Sequence, residues 1–296
     1  MSTVEEHRSF VASRFPDLGP VETFEPVDGG WDVFTYVANG GWIVQFPRLP
    51  GTDEVLRREA TLLEGLQGEV SGALPAPSFV PQEPPCLVYR RIEGTPIADP
   101  ATPGIWPERL GRFLYDLHLV PPEFAGLRAS APAAWREAYR AELDGFTRRV
   151  FPLLEPDERT AAERMFSDFV DDDRNFRFAT GVVHRDLGPE HVLLTPDGDL
   201  AGVIDWGDAG VGDPAIDFAW LLHRAPEAGE RALEAYGGAA DERFLERAAF
   251  YDRLGPWYEV THGLDTDQPG FVASGLAGVR DRLPGEPARD GPSSPR

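Results

Sequence analysis

Residues 182–207, VVHRDLGPEHVLLTPDGDLAGVIDWG, constrain the chain more than any other stretch. Two short apolar runs, Val192–Leu194 and Leu200–Ile204, flank Pro196-Asp197-Gly198. An Asp-Gly pair between β-branched runs is the strongest short-range signal for a tight β-hairpin. Pairing outward from that turn sets Asp205 opposite Glu190 or His191, at the open end. Residues directly opposed in an antiparallel pair have Cα atoms ~4.5–5.5 Å apart. One carboxylate and one imidazole therefore converge there, and Asp186 lies on the loop that feeds the first strand. Such a mouth can hold a divalent metal and a nucleophile together.

Taken singly, Asp186 reads equally as a loop residue, Asp205 as a strand-ending turn former and His191 as a buried, hydrogen-bonded histidine. Taken together they follow an ordered pattern: H-R-D, four residues, a metal-ligand type, then D-W-G. In the kinase template the first Asp accepts the proton of the attacking hydroxyl. The residue five positions on, and the Asp of the second motif, bind Mg²⁺.

The rest of the composition narrows the setting. A chain of 296 residues can bury two cores of ordinary size. Its formal charge of −22 repels phosphate backbones, which argues against nucleic-acid binding. The same charge attracts polycationic small molecules by steering, and equally serves simple solubility. All 28 basic residues are arginine. A lone cysteine, Cys86, excludes an internal disulfide and fits a reducing compartment as a small buried residue. MSTVEEHRSF lacks the apolar core of a signal peptide, and no apolar run nears the ~20 residues needed to cross a bilayer. A soluble cytoplasmic protein without a membrane partner is the expectation.

Along the chain, Val4, Phe10, Val11 and Phe15 are spaced for one face of a helix over 2–15. Val21–Val27, Val33–Val37 and Trp42–Phe46 read as a three-stranded meander, divided by Asp28-Gly29-Gly30 and Asn39-Gly40-Gly41. Gly29 and Gly30 could admit phosphate oxygens to backbone N–H groups, or form an ordinary turn. A helix follows over Asp53–Leu66, burying Leu56, Ala60, Leu63 and Leu66 with Glu59 beside them. Cys86–Tyr89 is a short strand, and the character beyond Gly94 is helical apart from the hairpin. Helices are expected at Pro107–Leu119, Ala133–Phe151, Asp157–Asp172, Pro214–Leu222, Pro226–Tyr236, Asp241–Gly255, Pro256–His262 and Phe271–Leu283. The fold class is α+β in two lobes. Residues 1–92 form a small antiparallel β N-lobe with one main helix, and 93–284 a larger, mostly helical lobe. The polar, proline-rich residues 285–296 are expected to be a disordered tail.

With these motifs in view, the sequence resembles the aminoglycoside and macrolide phosphotransferases, antibiotic kinases with a protein-kinase-like fold. HRDLGPEHVLL and GVIDWGDAGVGDPAIDFAWLL carry most of the likeness; VQFPR, LRREATLLEGL, YRRIEGTPI and LGRFLYDLHLVP carry the remainder. The resemblance implies Asp186 as catalytic base and His191 and Asp205 as Mg²⁺ ligands. His191 stands where most of the family has Asn and the macrolide kinases have His. Asp213 and Asp217 would brace the loop, with His184 and Arg185 as supports. Backbone groups around Arg90 to Ile92 would hold the base of ATP or GTP. The family places Lys or Arg on the third strand, paired to a helical Glu. Here that position is Gln45, while Glu59 is present; Arg48 points to the other face by strand alternation, unless Pro47 bends the chain. A γ-phosphoryl group would pass from the nucleotide to a hydroxyl of a small-molecule antibiotic, macrolide or aminoglycoside, conferring resistance. A kinase of an amino alcohol or sugar, or a nucleotide-binding pseudokinase motivated by Gln45, are the alternatives. Acidic groups at Asp171-Asp172-Asp173, Glu259, Asp265 and Asp267 are candidate acceptor contacts.

Overall fold

The computed structural model describes residues 4–27, 32–81 and 83–284. Gly29, Gly30 and the stretch 285–296 lie outside them. Contacts divide the chain into two units: one of the residues up to Ala129 with Gly181–Ala239, the other of Ser130–Thr180 with the residues from Ala240. The lobe boundary expected at 92 falls inside the first unit.

The first unit opens with α1 (Val4–Arg14) and the strands β1 (Phe24–Val27), β2 (Val33–Ala38) and β3 (Trp42–Pro47). Next come α2 (Thr52–Leu66), β4 (Ser78–Val80) and β5 (Cys86–Arg90). The meander is extended to five antiparallel strands in the order β1-β2-β3-β5-β4. Alternation gives β3 two faces. Val44 and Phe46 join Tyr36, Cys86, Val88 and Val11 of α1 in one core. Leu87 and Tyr89 of β5 meet Leu56 of α2 on the other, with Ile43 packed against them. Gln45 alternates onto that second face. In α1 the buried residues are His7 and Val11, whereas Val4 is exposed. His7 stacks on Phe46 and its Nδ1 lies 3.0 Å from the Tyr36 hydroxyl. An imidazole thus fills the place where the apolar periodicity put Val4. Burial pushes the Cys86 thiol up to about 12, so it is an inert core residue.

In α2, Leu56, Leu62, Leu63 and Leu66 are buried, about 1.5–3 kcal/mol each. At Gly65 a Cβ would stand 1.7 Å from the Phe124 carbonyl oxygen, so only glycine lets the 121–127 loop lie against this helix. β6 (Thr95–Pro96) leads to α3 (Trp106–Leu119). After the segment belonging to the other unit come β7 (Gly181–Val183), β8 (Val192–Leu194), β9 (Leu200–Val203) and β10 (Gly210–Gly212). β7 pairs with β10, and β6-β8-β9 form a small sheet. The expected hairpin is β8–β9, with Val192 opposite Val203 and a register shift near the turn at Leu194. Gly198 supplies the left-handed residue (φ 76°) of that turn. Its carbonyl accepts the N–H groups of Ile105 and Trp106, seating the hairpin tip on the start of α3. A 3₁₀ turn over Pro214–Phe218, α6 (Ala219–Arg224) and α7 (Pro226–Ala235) complete the unit.

The second unit holds α4 (Pro132–Arg149), α5 (Pro156–Val170), α8 (Phe244–Asp265) and α9 (Pro269–Arg282) around an aromatic core. Phe169 stacks on Phe250, and Trp257 packs edge-on against Phe166. Sequence patterning divides α8 at Pro256; the structure carries one helix through it. Proline there removes the N–H that would bond the Asp252 carbonyl. The Arg282 guanidinium of α9 donates to that carbonyl instead. Among the described residues no helix is long and apolar enough to cross a membrane.

Candidate active site

The mouth of the β8–β9 hairpin gathers the three side chains singled out from the sequence. Ile204 N–H donates to the His191 carbonyl, which places Asp205 opposite Glu190. His191 Nε2 lies 3.5 Å from Asp205 Oδ2, and His191 Nδ1 lies 3.9 Å from Asp186 Oδ2. That same Nδ1 stands 2.7 Å from the Asp186 carbonyl oxygen, to which only a protonated Nδ1 can donate. In the neutral ring this fixes the tautomer and leaves the Nε2 lone pair facing Asp205; a hydrogen bond from the other ring nitrogen is how metal-ligating histidines are commonly oriented. His191 and Asp205 thus turn one nitrogen and one carboxylate toward a common point, a donor pair that would suit a divalent cation. No third His, Cys, Asp or Glu joins them in a preformed metal cluster among the described residues.

The turn that carries Asp205 is held from several sides. Asp205 has a left-handed backbone (φ 67°), a conformation that costs a non-glycine residue about 1–2 kcal/mol. Trp206 is buried; its Nε1–H donates to the Val203 carbonyl and its ring meets the edge of His184. The Trp206 backbone N–H donates to Glu59 of α2. Arg58, the preceding residue, donates from its guanidinium to the Gly207 carbonyl at 2.9 Å.

Below the mouth, Asp217 is fully buried and accepts the backbone N–H groups of His184 (2.8 Å) and Arg185 (2.9 Å). His118 Nε2, 3.1 Å away, is a third partner, and His118 Nδ1 reaches the Tyr236 hydroxyl at 2.8 Å. Asp213 caps the 3₁₀ turn through Ala215 N–H. His184 Nε2 lies 3.0 Å from the Ile204 carbonyl, which it meets as donor; burial lowers its pKa and keeps the ring neutral. Asp213, Asp217 and His184 thus hold the loop, the role that the motif resemblance implies for them.

Charge is concentrated at the mouth. Desolvation, then Asp208, Asp205 and Glu190, push the Asp186 carboxyl above its ordinary range against the pull of His191. The Asp186 side chain is 63% exposed, so water screens part of that shift. His191 is lowered by burial, but Asp205 and the Asp186 carbonyl and carboxylate outweigh this and raise it. Asp208, next to the D-W-G motif, is raised by desolvation and by Asp205 and Asp32. It belongs to the cluster, and its position beside the motif was the available signal.

On the α2 face of the sheet, Gln45 is 8% exposed and its Oε1 has no hydrogen-bond partner among the described residues. Burial, with Asp205 adding to it, pushes the Glu59 carboxyl up to about 8. Both positions are thus neutral near pH 7: a strand without its cation faces a helix whose acid holds its proton. Arg48 lies over the Phe34 ring, on the α1 side, and does not replace the missing charge. Arg90 covers Trp42, and Arg91 N–H is committed to the Gly41 carbonyl; the Ile92 side chain approaches Gly202. A hollow of about 540 Å³ lined by Arg57, Thr61, Glu64 and Phe79 lies on another face of α2 and holds none of the hairpin residues.

In the second unit four of the acidic candidates already have partners. Asp172 pairs with Arg174 and Arg243, Asp173 with Arg136, and Asp265 with Arg149. Glu259 accepts from the Ser274 hydroxyl.

A five-stranded antiparallel sheet with one main helix, followed by a carboxylate–imidazole hairpin and a helical remainder, defines a phosphotransferase of protein-kinase-like fold. The chain belongs to the phosphotransferase enzyme family, whose model matches residues 23–253. It is 30% identical over 248 residues to viomycin phosphotransferase of Streptomyces vinaceus, covering 79% of this chain and 82% of that protein. It is 24% identical over 232 residues to the uncharacterized protein YcbJ of Bacillus subtilis, covering 72% and 68%. Among solved structures, the GDP and kanamycin complex of an APH(2") enzyme superposes with a TM-score of 0.82 at 21% identity, over 93% of this chain and 97% of that one. Macrolide 2'-phosphotransferase MphH of Brachybacterium faecium superposes with a TM-score of 0.72 at 23% identity, over 94% and 100%.

Proposed function

We propose that this phosphotransferase moves the γ-phosphoryl group of a nucleoside triphosphate to a hydroxyl of a cationic antibiotic. The observation that carries the reading is the Asp186–His191–Asp205 mouth. One backbone bond from His191 to Asp186 both orients the imidazole and sets a free carboxylate beside it. Asp186 accepts the hydroxyl proton as the oxygen attacks, and its raised pKa suits a base working near neutrality. His191 and Asp205 would hold Mg²⁺, which would supply positive charge against that developing on the transferred phosphoryl group. Gln45, Glu59 and the backbone of Arg90–Ile92 line the nucleotide side. Residues 1–92 serve the nucleotide and 93–284 serve the base and acceptor.

The acceptor class rests on two supports: a relative named for viomycin at 30% identity and a formal charge of −22. Long-range attraction of a cation to such a surface raises its rate of encounter. The test is a panel of viomycin, kanamycin, a macrolide and an amino alcohol, incubated with Mg²⁺ and ATP or GTP and read by mass spectrometry. The expected result is one added phosphoryl group on a cationic antibiotic. Phosphorylation of the amino alcohol alone would replace the acceptor assignment. Failure to consume either nucleotide would overturn the whole reading.

A further inference from the structure

We infer that Arg58 is a positioning residue of the phosphotransfer site, acting through the backbone of the D-W-G turn. This rests on the reading of Asp205 as a metal ligand and adds the element that sets it. Three residues of α2 at helical spacing, Val55, Arg58 and Glu59, share one face. All three address the turn: Val55 lies against Gly207, Arg58 donates to the Gly207 carbonyl, and Glu59 accepts the Trp206 N–H. Consecutive helix residues thus clasp consecutive residues of the turn, one as donor and one as acceptor.

The clasp grips the chain next to Asp205, which sits in a left-handed conformation and needs outside contacts to stay there. Glu59 gives the turn an acceptor. Arg58 is the charged half, and bonds from a charged donor are about twice as strong as neutral ones. No lysine exists to take its place, Arg48 is spent on Phe34, and Arg57 turns away to Glu54 and Phe79. In a chain whose third strand offers only Gln45, the cationic part of the link between the nucleotide-side helix and the metal-side turn is residue 58.

Arg58→Ala, Arg58→Lys and, as a control, Arg57→Ala test this. Two readouts are needed: hydrogen exchange of the amides of residues 204–209 in the free protein, and calorimetric titration of Mg²⁺ into protein saturated with a non-hydrolysable nucleotide. Arg58→Ala should speed exchange in the turn about tenfold and weaken Mg²⁺ binding about tenfold. Arg58→Lys should recover part of both, and Arg57→Ala should change neither. Unchanged exchange in Arg58→Ala would overturn the proposal. So would unchanged exchange with a loss of nucleotide affinity in the absence of metal, since the arginine would then touch phosphate directly. If the unmodified protein binds no Mg²⁺-nucleotide, the functional reading fails, and faster exchange with Arg58→Ala would still uphold the clasp.

Discussion

Two aspartate–histidine pairs support the same segment and have opposite fates. Asp205 and His191 meet at 3.5 Å with the Asp205 side chain 59% exposed. Asp217 and His118 meet at 3.1 Å with the Asp217 side chain fully buried and two backbone N–H groups also bound to it. The residue types are identical, so composition cannot separate them. What separates them is burial and partners: Asp217 takes three hydrogen bonds from the protein out of reach of water, whereas Asp205 keeps oxygen atoms free toward solvent. A carboxylate with spare acceptor capacity on a strained, well-supported turn is a site for a ligand. One buried among its donors is part of the frame.

The sharpest way to break this contrast lies beside the first pair. Asp186→Asn should lower kcat by about 10³-fold while nucleotide affinity and thermal stability stay near those of the unmodified protein. A wild-type rate would remove Asp186 as base. Asp217→Ala should do the converse, costing about 3–5 kcal/mol of stability in denaturant titration because buried donors lose their acceptor. Glu59→Gln sharpens the comparison through pH. The Glu59 pKa rises from 4.5 to about 8 on folding, so the folded state holds the extra proton between those values. Its contribution is fully present below about 4.5 and is lost as pH rises through 8. The glutamine variant should flatten that slope and be more stable at pH 8, on the order of 2 kcal/mol; an unchanged slope would contradict the burial. His118→Phe should cost about 1–3 kcal/mol by removing the ring nitrogens that meet Asp217 and the Tyr236 hydroxyl. The smallest expected change is in stability for Asp205→Asn, within about 0.5 kcal/mol, since Asn tolerates the left-handed backbone. A large loss there would show that Asp205 also belongs to the frame.

The parts legible in the sequence are those whose cause is local. Asp197-Gly198 sets the hairpin, the apolar spacing of Leu56, Leu63 and Leu66 sets α2, and alternation sets which way Gln45 and Phe46 face. What escaped depended on distant partners. β7 and β10 are three-residue strands that form only against each other. α8 continues through Pro256 because an arginine 26 positions on, Arg282, supplies the missing donor. Asp186, His191 and Asp205 were readable from motif order and hairpin pairing together. Arg58 was not, because an arginine beside a glutamate on a helix looks like any solvated face. His7 shows the same limit inside a core: its role becomes visible only once Phe46 and Tyr36 are stacked around it.

The contact at Gly65 bears on how such an enzyme could be inhibited. A helix whose backbone touches the 121–127 loop, with no room for even a methyl group, resists being prised outward by a wedge-shaped compound.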